Sequence, residues 1–298
     1  MSKLKKFLSY LNKNQNVKIF YDKSSDILNG KKNLQHIINA TKYFCDNNNI
    51  YVEIGSYRGF TLIHNSIYNK HTKIIGIDNF SLFDKNGENF KFIKNQIKKF
   101  NLNNIKFIKK DFEIANKKII NKIAVLFIDG AHDYRSHLLA LLKYSKHMSK
   151  EGIIIIDDAN YYHVRKATSD FLDINKNFKL LYQKYTNIHI ANANFKIKRK
   201  LSDGNWNGIH IIYKGNYTVK RNVRLPKFEK EHLIKLFYDT HETFRHKYAF
   251  NTKEILDLIY DYKHSIISKN IFIKKIDKLS IPHKLKNQIK FKSQNIFK

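Results

Sequence analysis

Ile50-Tyr51-Val52-Glu53-Ile54-Gly55-Ser56-Tyr57-Arg58-Gly59-Phe60-Thr61-Leu62 is the stretch that decides how this chain reads. An apolar run ends in an acid, Glu53, and two glycines stand four apart before a helical pattern begins. That spells strand, tight turn, helix. Such a turn needs glycine where a Cβ would forbid the backbone conformation or keep a ligand from the main chain. The chain has only 10 glycines, so two at this spacing carry weight. The dinucleotide fingerprint Gly-x-Gly-x-x-Gly is absent, and a bound pyrophosphate is not indicated. What remains is Glu-x-Gly-x-x-x-Gly.

Working outward, four more short apolar runs end in acids. They are Lys73 to Asp78, Ile105 to Asp111, Ile123 to Asp129, and Gly152 to Asp157-Asp158. Continuous Ile, Val and Phe runs indicate strands covered on both faces, as in a parallel sheet flanked by helices. Helix-period segments lie between them, clearest from Tyr134 to Met148, where Leu138, Leu141, Leu142 and Tyr144 share an inward face. Ligands of such sheets bind beyond the carboxyl ends of the strands, where all five acids fall. A strand-end Asp can also simply cap the next helix or make a turn. Five in succession favour a site.

Composition bounds the rest. The formal charge is +31, from 56 basic and 25 acidic residues, but only seven of the basic residues are Arg. A Lys-, Asn- and Ile-rich chain poor in Gly and Pro is what a compositionally biased coding sequence produces, so much of the charge reads as solvated surface. A polyanion partner, whether nucleic acid, anionic glycan or membrane surface, is the competing reading. Cys45 is the single cysteine, which rules out an intrachain disulfide and suits a reducing, cytoplasmic setting. No signal peptide and no apolar run of transmembrane length are present.

Toward the N-terminus, Leu4, Phe7, Leu8 and Leu11 fall at i, i+3, i+4 and i+7 of an amphipathic helix. It suits docking on its own domain, or on a partner subunit of a homo-oligomer, ahead of peripheral membrane contact. Lys13 to Lys32 reads as a polar connection holding the short run Val17 to Tyr21. Leu34 to Cys45 then forms a helix with Ile37, Ile38, Thr41 and Phe44 on one side. After the fifth strand come a helix over Tyr161 to Ile174 and strands at Phe178 to Tyr182 and Ile209 to Tyr213. Lys184 to Asn205 reads as a long basic loop, a candidate wall over an acceptor site. Helices alone follow Phe228: Glu229 to Tyr248, Thr252 to Lys269 and shorter pieces rich in Lys. The expected organisation is an N-terminal helix and connection (1–32), an α/β domain (33–217) and a basic helical C-terminal extension (218–298).

The fourth and fifth strand ends carry the chemistry, in Leu126-Phe127-Ile128-Asp129-Gly130-Ala131-His132-Asp133-Tyr134 and Ile155-Ile156-Asp157-Asp158-Ala159-Asn160. On adjacent parallel strands, Asp129, Asp157 and Asp158 converge at one edge. Three carboxylates so close repel unless protonated or gathered around a cation. Oxygen ligands favour Mg²⁺, with Mn²⁺ or Ca²⁺ next, over zinc. His132 stands near such a cation without needing to bind it. The plain structural readings are a helix-start His132 paired with Asp133, itself a helix cap, and an N-cap role for Asp158.

Glu-x-Gly-x-x-x-Gly resembles motif I of the class I methyltransferases that use S-adenosylmethionine (SAM). Together with Asp78-Asn79-Phe80, Asp129-Gly130-x-His132-x-Tyr134 and Asp157-Asp158, the chain resembles the metal-dependent sugar O-methyltransferases of the macrocin and mycinamicin type, within the methyltransferase 24 family. The resemblance covers residues 50 to 160. It implies a Rossmann-like, doubly wound α/β sheet. It places Glu53, Gly55, Ser56, Tyr57 and Gly59 along the methionine part of SAM, with Asp78 and Asn79 at the ribose diol. Asp111 and Phe112 fall near the adenine, and Asp129 borders the cofactor. Asp129, Asp157 and Asp158 would hold Mg²⁺ or Mn²⁺, with His132 the general base. Ala131 departs from the acid that many members carry, and Lys150-Glu151-Gly152 lacks a usual second glycine.

The chemistry agrees with that implication. A sugar hydroxyl is a weak nucleophile at neutral pH, and chelation of a cation by neighbouring hydroxyls would bring its pKa within reach of His132. The expectation is therefore a SAM- and Mg²⁺-dependent O-methyltransferase acting on a nucleotide sugar or surface glycan. The competing readings are an RNA methyltransferase that uses the basic extension and a non-catalytic SAM-binding scaffold.

Overall fold

The computed structural model describes residues 2–11, 17–20, 29–81, 84, 87–185, 193–216, 250–279, 281 and 283–296. The chain forms two compact units, Met1–Phe228 and Glu229–Lys298.

Seven strands make one sheet in the first unit. They are β1 (Asn49–Ile54), β2 (Ile74–Ile77), β3 (Ile105–Ile108), β4 (Lys122–Ile128), β5 (Met148–Asp157), β6 (Phe178–Lys184) and β7 (Ile209–Lys214). Their order is β3-β2-β1-β4-β5-β7-β6. The first five are parallel, and β7 runs antiparallel between β5 and β6. The chain winds outward from β1 in one direction and then, from β4, in the other. This is the Rossmann-like doubly wound sheet, with its switch point between β1 and β4.

Side-chain alternation explains the unbroken apolar runs. In β5, Ile154 and Ile156 enter one core, while Ile153 and Ile155 enter the other. Leu126 and Ile128 of β4 likewise face the first layer, and Val125 and Phe127 the second. Both faces are buried, so no polar alternation survives in the sequence. One layer is closed by α1 (Lys3–Leu11), α2 (Lys31–Phe44), α3 (Phe60–Tyr68) and α4 (Asn89–Lys99), through Phe7, Ile37, Leu62 and Ile93 among others. The opposite layer is closed by α5 (Phe112–Ala115), α6 (Tyr134–Tyr144) and α7 (Tyr162–Ile174), through Ala115, Leu141 and Phe171 among others.

The N-terminal helix docks as its periodicity requires. Leu4, Phe7 and Leu11 are buried, and the Phe7 ring meets Phe44 of α2 edge-on at 5.8 Å. Burying a side chain of this size is worth about 2 kcal/mol. The helix therefore spends its apolar face on its own unit.

Several boundaries differ from the sequence reading. Residues 184–205 are not a uniform loop: β6 continues to Lys184, and Phe195–Ser202 form a further helix, α8, whose N-terminus is capped by Asn194 Oδ1 accepting from Ile197 N. The helix was hidden because Leu201 is its one buried residue and four of its eight residues are Lys or Arg. Residues 186–192 lie outside the described residues. The helix expected over Tyr134 to Met148 stops at Tyr144, because Met148 already begins β5.

In the second unit, helices span Phe250–Lys263, Lys269–Lys278 and His283–Ile296. The break after Lys263 replaces the single helix expected to Lys269, and Ser268 Oγ caps the next one. Leu258, Phe272, Ile276, Leu279 and Ile281 form its core. The helix expected over 229–248 lies outside the described residues. Among the described residues no helix is long and apolar enough to cross a membrane.

Candidate active site

The five parallel strands bring their terminal acids to one rim. At the end of β1, Glu53 is fully buried, and its Oε2 accepts from Tyr51 Oη at 2.7 Å and Thr61 Oγ1 at 2.8 Å. Its other oxygen, Oε1, and the buried Ser56 Oγ have no hydrogen-bond partner among the described residues. Burial pushes the Glu53 carboxyl up to about 7, against the pull of these hydroxyl donors. Two orphaned oxygens beside the turn fit a ligand that donates, such as the ammonium of an amino acid moiety.

Next comes the turn. Gly55 and Gly59 take φ of +83° and +76°. At Gly55 an added Cβ would stand 2.0 Å from the carbonyl oxygen of Asp129, so glycine is what lets the ends of β1 and β4 close together. Asp78, at the end of β2, holds the turn: its Oδ2 accepts from Ser56 N at 2.9 Å and Tyr57 N at 2.8 Å, and its Oδ1 from Phe80 N at 2.7 Å. A carboxylate has about four lone-pair sites, so these bonds leave it capacity for a ligand. Further along the rim, Asn79 Nδ2 donates to Asp111 Oδ2 at 3.0 Å. Asp111 Oδ1 caps α5 through Glu113 N, which is the plain structural role open to a strand-end acid. Phe112 follows it, packed against the core, its carbonyl accepting from Tyr144 Oη.

The densest part of the rim lies at the ends of β4 and β5. Ile128 pairs with Ile156 across the sheet, which sets Asp129 beside Asp157. One ligand atom from each of Asp129, His132 and Asp158 lies within 4.8 Å of the others. His132 Nε2 is 2.7 Å from Asp158 Oδ2 and 4.0 Å from Asp129 Oδ1. Asp158 adopts φ +57°, a conformation uncommon outside glycine and often found at functional positions. It does not cap the next helix, since Tyr161 occupies that place, whereas Asp133 does cap α6 through Ser136 N.

Electrostatics separate the three acids. Burial, then the neighbouring Asp157 and Asp158, pushes Asp129 well above the usual carboxylate range, and burial beside Asp158 does the same to Asp157. Burial also works to raise Asp158, but the His132 imidazole and the Asn207 amide outweigh it and hold that carboxyl low. A site that keeps one acid ionised beside two that resist ionisation is poised to gain from an added positive charge.

Asp157 stands differently from the other two acids. Its Oδ1 accepts from Asn33 Nδ2 at 2.8 Å and its Oδ2 from Asn29 Nδ2 at 2.9 Å. These asparagines, together with Asn205 and Asn207, were missed in the sequence. The one signal is that Asn29 and Asn33 flank Gly30 at helical spacing just where α2 starts. An aromatic stack was missed as well: the His132 ring lies 5.5 Å from Tyr161 with planes 25° apart, and Tyr161 lies 5.2 Å from His163. His163 Nε2 meets the His132 carbonyl oxygen. A separate cleft of about 600 Å³, lined by Cys45, Asp46, Asn49, Lys70 and His71 among others, opens at the opposite ends of β1 and β2, away from this chemistry.

Residues 52–159 match the family model Methyltransf_24, described as a methyltransferase domain. An uncharacterised protein of Acanthamoeba polyphaga mimivirus is 34% identical over 135 residues, 43% of this chain and 59% of that protein. The chain thus spans less than two thirds of that relative. The precorrin-6y C5,15-methyltransferase of Geobacter metallireducens overlaps 68% of this chain and 100% of its own, at 15% identity and a TM-score of 0.47. The TDP-rhamnose 3′-O-methyltransferase of calicheamicin biosynthesis overlaps 50% of this chain and 73% of its own, at 16% identity and a TM-score of 0.42. The matched stretch runs from β1 past the end of β5 and holds every strand-end acid described above. The strand order is that of a Rossmann-like sheet, and the stretch similar to a methyltransferase domain lies within it.

Proposed function

We propose that the chain is a SAM-dependent O-methyltransferase that works with a divalent cation on a sugar hydroxyl, carried by a nucleotide sugar or a glycan. The observation that carries this reading is the pairing of His132 with Asp158 beside Asp129, on the same rim as the glycine turn.

The turn at Gly55 to Gly59, with the orphaned oxygens of Glu53 and Ser56, suits the amino acid end of SAM, and Asp78 and Asp111 stand further along the same rim. Asp129 and Asp158, with Asp157 beside them, offer oxygens to Mg²⁺ or Mn²⁺, and His132 stands next to that seat as the base. Bound there, the cation would supply the Lewis acidity that brings a vicinal diol into the range of an imidazole base. Asp158 accepts from Nε2 of His132, which orients the imidazole as the base for the acceptor's proton. The Tyr161 ring stacked on the imidazole further restricts its plane. Positioning does the remaining work, since transfer from a sulfonium needs chiefly alignment.

The test is methyl transfer from labelled SAM to a panel of nucleotide sugars, with and without EDTA. Transfer abolished by EDTA and restored by Mg²⁺ or Mn²⁺ is expected. Transfer indifferent to EDTA removes the cation from the mechanism, and tight SAM binding with no turnover on any acceptor favours a scaffold instead.

A further inference from the structure

Asn29 stands at the densest acidic point of the rim and none of the chemistry above uses it. Its side chain is 3% exposed. Its Nδ2 lies 2.9 Å from Asp157 Oδ2 and 3.4 Å from Asp129 Oδ2, so one amide spans the buried carboxylate of Asp157 and the part-buried one of Asp129. Its Oδ1 is buried and has no partner among the described residues. An unsatisfied buried acceptor is disfavoured unless something else meets it.

The residue cannot easily swing away. One turn on, Asn33 Nδ2 also donates to Asp157, and Asn33 Oδ1 accepts from Asn205 Nδ2 at 2.9 Å. Lys32 N donates to Gly204 O at 3.0 Å, and a Cβ at Gly30 would stand 2.2 Å from that same oxygen. The start of α2 is therefore clamped to the 204–205 turn, and Asn29 is delivered to the acids from a fixed base. The freedom left to it is rotation of the terminal amide, which exchanges donor and acceptor ends in place.

That exchange matters once a cation arrives. Without one, the amide nitrogen faces the carboxylates and offsets part of their repulsion. With one, a nitrogen donor pointing at the metal is the wrong group, whereas an amide oxygen is an ordinary ligand for a hard divalent ion.

We propose that Asn29 is a ligand of the site's divalent cation, presenting Oδ1 after a half-turn of its amide. This rests on the cation reading above. It gives the site a member from outside the sheet.

Calorimetry of Mn²⁺ binding to the full chain, with SAM binding measured alongside, tests it. Asn29→Ala is expected to weaken Mn²⁺ at least tenfold and leave SAM affinity unchanged, while Asn29→Asp, which keeps an oxygen in place, restores Mn²⁺ affinity. A bracing role predicts the opposite sign for Asn29→Ala: with their amide partner gone, the acids would hold Mn²⁺ as tightly as before or more so. That result overturns the inference and leaves the proposed function standing. Wild-type protein that binds SAM but no Mn²⁺ overturns both. Thermal unfolding of each variant shows whether it is folded, and if Asn29→Ala does not fold, weaker Mn²⁺ binding by Asn29→Leu, with recovery in Asn29→Asp, reads the same difference.

Discussion

The imidazole of His132 meets the carboxylate of Asp158 at 2.7 Å, and the two are unequally exposed: the histidine side chain is 33% accessible and the aspartate 5%. A buried, ionised acid behind a half-open imidazole is the arrangement that fixes a tautomer and stabilises the protonated ring.

Asp158→Asn tests that pair with little change of shape, because Asn also tolerates the left-handed backbone found at this position. The variant is expected to keep SAM affinity and lose about 10²- to 10⁴-fold in kcat, the range for general base catalysis. Steady-state kinetics at saturating SAM, with calorimetry for SAM, checks both halves. A kcat equal to wild type would remove the pair from the chemistry.

Stability should peak near neutral pH. Burial lowers His36 and His64 to about 4 and His137 and His210 to about 3, so the folded chain keeps these rings neutral where the unfolded chain protonates them. The folded state binds fewer protons below about pH 6.5. Their contribution is therefore complete above that value and is lost as pH falls toward 4, about 3 kcal/mol for a shift such as that of His36. Glu53, raised to about 7, and the raised Asp129 and Asp157 act in the opposite sense, holding protons that the unfolded chain has released and costing stability as pH rises past the usual carboxylate range. Asp78 is raised too and His147 lowered, so five shifted histidines oppose four shifted acids between these limits. Urea midpoints near pH 5 should fall below those near pH 6.5, and His210→Phe should flatten that acid limb. An unchanged midpoint across the range would mean the buried rings are reached by protons in the folded state.

Much of this architecture is legible in the chain because its logic is local. Glu53, Asp78, Asp129 and Asp157 each end an apolar run, and a parallel sheet must put such ends on one edge. The arrangement of β6 and β7 is not local: β7 follows β6 in sequence yet inserts between β5 and β6, and nothing in Ile209 to Lys214 states its neighbours. Asn29 and Asn33 were missed for a similar reason. Their partner Asp157 is more than a hundred residues away, and asparagine in a polar stretch looks like any solvated turn. Helix α8 lacked a buried stripe to give it away. The parts of the candidate site that lie beyond the sheet thus rest on side chains whose meaning depends on what the fold brings to them.

Phe7→Ala tests whether the N-terminal helix is part of the fold or an appendage. The ring is fully buried against Phe44, and truncation of a buried Phe typically costs about 3–5 kcal/mol. A large drop in the urea midpoint, with SAM affinity retained in the folded fraction, is expected. A loss below about 1 kcal/mol would show that α1 detaches without consequence for the sheet.

Gly55 and Gly87 offer a matched pair, since both have positive φ, +83° and +69°, but differ in surroundings. Among the described residues nothing lies within 4 Å of the position a Cβ would take at Gly87, whereas at Gly55 it would meet the Asp129 carbonyl oxygen at 2.0 Å and the Gly130 Cα at 2.6 Å. Gly87→Ala should therefore cost only the left-handed backbone preference, about 1–2 kcal/mol, and leave ligand binding alone. Gly55→Ala carries the same penalty and also forces the ends of β1 and β4 apart. Asp129 moves with them, so thermal stability, SAM binding and Mn²⁺ binding are all expected to fall further than in Gly87→Ala. If Gly55→Ala bound both ligands like wild type, the close approach of these two strand ends would not be what shapes the rim, and the cofactor turn would have to be sought elsewhere on the sheet.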